Sequence, residues 1–120
     1  MSEALITKKT RNLLKKFETN GEPLYFNKIS DRYTSGIPDF QGTFYGISWY
    51  VELKDEGKDV RNLQAWHLKK AKNAGAETLS TDCFQEVECF FEDIKENHVE
   101  ISKHIQAHVI FGKYQGKPIF

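Results

Sequence analysis

The stretch Asp39-Phe40-Gln41-Gly42-Thr43-Phe44-Tyr45-Gly46-Ile47-Ser48-Trp49-Tyr50-Val51-Glu52-Leu53-Lys54 decides the fold of this chain. It reads as two strands, 39–44 and 47–54, joined at Tyr45-Gly46. Trp49, Tyr50 and Val51 are strong strand formers. If Tyr45-Gly46 is a two-residue turn, Phe44 faces Ile47 and, by the same count, Asp39 faces Glu52. A four-residue turn sets Asp39 opposite Lys54 instead. In either register Asp39 lies beside the Glu52/Lys54 pair. Strand alternation then sends Glu52 and Lys54 to one face and Val51 and Leu53 to the other.

The hairpin therefore gathers two carboxylates and an ammonium on one face. Like charges directly opposite each other destabilise a strand pair, and a divalent cation offsets that repulsion most directly. Carboxylate and carbonyl oxygens are hard ligands suited to magnesium or manganese. Such a metal activates water and stabilises charge on a phosphodiester. A lysine beside it can orient the attacking water or support the developing charge. Glu-x-Lys alone would more simply be a solvated strand face, because short motifs occur often by chance. The Asp39 partner and the matched hairpin between them make chance a poorer account.

Working outward, 2–18 reads as a helix, with Ile6, Leu13, Leu14 and Phe17 at helical spacing and Asn20-Gly21 as its stop. A strand is expected over 24–29, then a polar loop over 30–38 punctuated by Gly36 and Pro38. A charged loop around Gly57 leads to a helix over 63–74, ended by Gly75. A short strand follows over 77–80. Asp82, with Gln85 three residues on, fits an N-cap for a helix to about Lys95. One more strand is expected over 105–111. The order αβββαβα, plus a C-terminal extension, predicts an α/β domain with a mixed β-sheet flanked by helices.

The chain has 120 residues, enough for one domain and one core. Its 17 basic residues balance 17 acidic ones, so no basic footprint announces nucleic acid, although charge distribution rather than net charge decides binding. No apolar run is long enough for a membrane span, and the charged, amphipathic start is unlike a secretory signal. Cys83 and Cys89 have neither zinc-site spacing nor the number for a disulfide framework, so a reducing, cytoplasmic setting is expected.

Gly36-Ile37-Pro38-Asp39 followed by Glu52-Leu53-Lys54 resembles the PD-(D/E)xK nuclease superfamily, and more narrowly the VRR-NUC domain in its small stand-alone, phage-type form. Gly42, Gly46 and Gln64 stand where that family has its glycines and the glutamine of the following helix. The resemblance covers about Glu3 to Ile94. It implies a restriction-endonuclease-like fold, with a nuclease core over 1–97 and residues 98–120 as a C-terminal extension of the same domain. It implies that Glu3, Asp39 and Glu52 are metal ligands or near-ligands, with the Leu53 carbonyl, for Mg2+ or Mn2+. Lys54 becomes the catalytic lysine and Gln64 a supporting catalytic-site residue. It also implies a homodimeric endonuclease acting on DNA, including branched DNA such as four-way junctions, without a small-molecule cofactor. The competing readings are a catalytically silent nucleic-acid-binding module of the same fold, and an interaction protein whose acidic hairpin is only surface.

Four weaker signals remain. Lys28, Arg32 and Ser35 lead into the Gly36–Pro38 turn and are expected to contact DNA phosphates or backbone. The basic run Lys8, Lys9, Arg11, Lys15 and Lys16 reads as a solvated helix face. His104 and His108 have the spacing of a helical metal pair, but their segment reads as strand, which argues against a zinc site. Trp49, Trp66, Phe84, Phe90 and Phe91 are expected in the core or an interface.

Overall fold

The computed structural model describes residues 2–29, 39–55, 57 and 62–107. Its elements are α1 (Glu3–Thr19), β1 (Leu24–Lys28), β2 (Phe40–Phe44), β3 (Ile47–Leu53), α2 (Asn62–Asn73), β4 (Glu77–Thr81) and α3 (Phe84–Ala107). This is the expected αβββαβα order. The strands form one sheet in the order β1-β2-β3-β4. The first two pairings are antiparallel, and β4 adds parallel to β3 after the α2 crossover.

Pairing of Phe44 with Ile47 and Phe40 with Val51 selects the two-residue turn. Tyr45 and Gly46 both have positive φ, 50° and 78°, as the tightest hairpin turns require. Phe40, Phe44, Ile47, Trp49, Val51 and Leu53 then share one face, and all are buried. α1 and α3 cover that face. Phe17 of α1 lies 5.0 Å from Phe44, and Phe91 of α3 packs edge-on to Trp49 at 4.8 Å. α1 presents Ile6, Thr10, Leu14 and Phe17 to this core. α1 ends as expected at Asn20-Gly21: Gly21 N–H donates to the Glu18 carbonyl and Glu22 N–H to that of Phe17. These bonds satisfy carbonyls the last turn would leave orphaned.

Gly42 is required by the close approach of β1. A Cβ there would collide with the Tyr25 carbonyl oxygen and lie 2.9 Å from Phe26 Cα and 2.8 Å from Trp49 Cζ2. Two of those obstacles are backbone, which cannot swing aside. Gly42→Ala should therefore destabilise the domain by about 3 kcal/mol, the upper range for overpacking. Its thermal midpoint should fall by roughly 10 °C or more. A midpoint within a degree or two of wild type would contradict this packing.

The structure corrects the C-terminal third. α3 does not stop near Lys95 but runs on to Ala107, so the strand expected from residue 105 is helical at its start. Ile94, Ile101 and Ile105 continue the inward stripe at helical spacing, which keeps this segment helical. Asn97 (φ −119°, ψ 15°) interrupts the helix, its amide donating to the Asp93 carbonyl and carboxylate. Asp82 is not the cap of α3, which begins two residues later. Its carboxylate accepts from the Gly57 amide at 2.8 Å instead. His104 is an exposed helical residue, while His108 and the rest of the tail lie outside the described residues. No described helix is long and apolar enough to cross a membrane.

Candidate active site

The face of the sheet opposite the core changes character along its length. On β3, Ser48 is exposed, Tyr50 is intermediate, and Glu52 is only 1% exposed. Glu52 breaks the alternation of the strand because α2 covers this end of the sheet. Gln64, buried on the inner face of α2 with Leu68, donates its amide to Glu52 Oε1 at 2.7 Å. A buried carboxylate without partners would be costly, and Glu52 has three. Besides Gln64, Lys54 Nζ stands 3.3 Å from Oε1, and the Asp39 N–H donates to Oε2 at 3.1 Å.

Asp39 stands opposite Glu52, as the two-residue register requires. The two residues are interlocked through the backbone: while Asp39 N–H holds Glu52, the Leu53 N–H donates to Asp39 Oδ2 at 2.8 Å. The second oxygen, Oδ1, faces Lys28 Nζ at 3.9 Å, too far for a hydrogen bond. Lys28 is held over the Phe40 ring, its ammonium 5.5 Å from the centroid. The site thus has two carboxylates, two ammonium groups and one amide on the hairpin, its flanking strand and α2.

Burial pushes the Glu52 carboxyl up to about 7, and the facing Asp39 charge adds to the rise, against the lowering effect of Lys54. The sign for stability follows. A carboxyl raised in the folded state keeps its proton where the unfolded chain has lost it. Its contribution is greatest below about pH 4.5 and declines as pH rises to about 7. In chelator, the stability of the wild type relative to Glu52→Gln should fall across that window by roughly 3 kcal/mol. Parallel pH profiles of the two proteins in denaturant melts would contradict a buried, under-compensated Glu52.

The structure brings together Asp39, Glu52, Lys54, Gln64 and Lys28, and Leu53 takes part through its backbone. It does not bring Glu3 to them: among the described residues no group of three Asp, Glu, His or Cys side chains is placed to hold a metal. Glu3 sits at the start of α1, and its N–H donates to Asp55 Oδ1 at 2.7 Å. Asp55 thus anchors the α1 N-terminus at the end of β3, where a carboxylate also complements the helix dipole. Fifty-two residues separate the partners, and no local sequence signal marks the pair. Arg32 and Ser35 fall outside the described residues. Trp66, expected in the core or an interface, is exposed on α2 and so lies outside the core.

A mixed sheet with helices on both faces, carrying an acidic hairpin whose second strand ends Glu-x-Lys, is the architecture of a restriction-endonuclease-like α/β domain. Within that class the chain has the fold of a solved structure described as "VRR_NUC domain". The two superpose with a TM-score of 0.59 and 24% sequence identity, over 77% of this chain and 97% of the other. The likeness establishes the fold expected from the sequence. No family model and no curated protein sequence matches the chain.

Proposed function

We propose that this chain is a metal-dependent endonuclease that hydrolyses phosphodiester bonds in DNA. The observation that carries this reading is the buried Glu52 carboxylate, set opposite Asp39 with the Lys54 ammonium 3.3 Å away. The donor set suits a small, hard cation. Among the described residues Asp39 Oδ1 accepts no hydrogen bond, and Lys54 leaves the Glu52 carboxyl raised rather than depressed. Asp39, Glu52 and the Leu53 carbonyl would hold Mg2+ or Mn2+, which would supply an activated water and polarise the phosphate.

The chain's own groups have separable tasks. Gln64 fixes the Glu52 carboxylate from α2, and the Leu53 N–H fixes that of Asp39, so both carboxylates are oriented before substrate arrives. Lys54 places a positive charge where an attacking hydroxide or a developing phosphorane oxygen needs one. Lys28 extends the positive charge along β1 toward a flanking phosphate. Glu3 stays a candidate near-ligand only through its helix, which Asp55 ties to the end of β3.

The finer reading is a homodimer with two-fold symmetry acting on branched DNA, with residues 1–97 as the core and 98–120 as an extension. Pairing would merge the basic residues beside each site into one groove, and a four-way junction needs two symmetric cuts. The test is incubation of the protein with linear, flapped and four-way-junction DNA, with and without magnesium or manganese. The nuclease reading expects cuts only with metal. Binding without cleavage under every metal condition would favour the silent binding module. Light scattering at micromolar concentration tests the dimer, and a one-chain mass both alone and on junction DNA would refute it.

A further inference from the structure

α2 carries a second surface, turned away from the carboxylates. Its inner stripe is Gln64 and Leu68, both buried. Its outer stripe is Leu63, Trp66 and Lys70, three and four residues apart and hence aligned. Trp66 is 52% exposed, whereas the chain's other tryptophan, Trp49, is fully buried. Lys70 Nζ sits over the Trp66 ring, 5.5 Å from its centroid. Asn62–Asn73 contains Lys69, Lys70, Lys72 and His67 and no acidic residue, in a chain whose charges balance as a whole. An exposed indole with an ammonium over its ring, on a helix that carries lysines and no carboxylate, complements a polyanion that also presents aromatic faces. Single-stranded nucleic acid is that ligand, offering a base to stack and a phosphate to pair.

We propose that Leu63, Trp66 and Lys70 form a stacking platform for an unpaired base of the DNA substrate, so that the chain selects DNA with single-stranded nucleotides beside the cut. The substrate class rests on the nuclease reading above. Trp66 lies two residues from Gln64, about 200° round the helix from the residue that holds Glu52. A base on the indole is therefore separated from the carboxylates by roughly one helix diameter, about 10–12 Å. That places the platform against a flanking nucleotide, and Trp66 is a binding and specificity residue rather than a catalytic one. The ammonium of Lys70 is placed to meet the phosphate of the stacked nucleotide.

The test uses the full chain in chelator, so that binding is read apart from cleavage. Anisotropy is measured with labelled blunt duplex, and with the same duplex bearing a single-stranded flap. Trp66→Ala should weaken flapped-DNA binding by about tenfold or more, the loss expected for one stacked base. Blunt-duplex binding should stay unchanged, and Trp66→Phe should retain most of the flap affinity. Intrinsic fluorescence should be quenched by an oligonucleotide in the wild type but not in Trp66→Phe, where only buried Trp49 emits. Equal losses on both DNAs, or none on either, would overturn the platform. So would a Trp66→Ala protein that loses a dimer contact yet binds flapped DNA normally. A wild type that binds flapped DNA through Trp66 but never cuts it refutes the nuclease reading alone. One that cuts flapped DNA equally well as Trp66→Ala, with equal affinity, refutes the platform alone.

Discussion

Lys54→Ala is expected to leave a folded protein that still binds manganese and no longer cuts DNA. The ammonium is 3.3 Å from Glu52 and mostly shielded, so its removal takes away a fixed positive charge at the reacting centre. Loss of one such electrostatic group costs about 100- to 1,000-fold in rate, and more if it also orients the nucleophile. The fold survives because the Glu52 carboxyl, already raised by burial, can keep its proton when Lys54 is gone. Gln64 and the Asp39 N–H still hold it. Single-turnover cleavage with saturating metal is the readout, with circular dichroism as the check on folding. Undiminished cleavage by a contaminant-free Lys54→Ala protein would remove Lys54 from the mechanism.

Asp39→Asn should abolish cleavage while raising stability in chelator. The asparagine oxygen can still accept from the Leu53 N–H, so the local backbone is kept. The charge facing Glu52 disappears. Its removal lowers the Glu52 carboxyl toward its ordinary range, because Asp39 is the second cause of the rise after burial. The relief is worth about 0.2–1 kcal/mol for an exposed cross-strand pair and more for a buried one. A rise of a few degrees in the thermal midpoint is expected near neutral pH, and none near pH 4, where Glu52 is protonated in either protein. A lower midpoint at both pH values would make Asp39 a structural residue instead of a strained, functional one.

The part of this site that could be read from sequence lay within one hairpin. Period-two alternation and the Tyr45-Gly46 turn fix which residues face which, so the proximity of Asp39 to Glu52 and Lys54 follows from counting. Burial of Glu52 does not follow, because it depends on α2 crossing back over one end of the sheet. Gln64 was legible through a family resemblance, and its hydrogen bond to Glu52 gives that resemblance a physical reason. Asp55 and the Glu3 amide meet through tertiary packing alone. The sequence suggests a helix only to about Lys95 and a strand over 105–111, so the true length of α3 is not legible in it. In the structure, Ile101 and Ile105 instead extend the buried stripe past a local kink. For Trp66 the sequence leaves core and interface both open, and the structure takes it out of the core because Gln64 and Leu68 occupy the inner face of α2.

Manganese titration by calorimetry, run on the wild type and on Asp39→Asn, tests most directly whether the Asp39–Glu52 pair is completed by a cation. The wild type should show saturable binding that strengthens as pH rises through about 7, since the cation must displace the Glu52 proton. Asp39→Asn should lose most of that affinity. No saturable binding in the wild type, or equal affinity in the two proteins, would contradict the account.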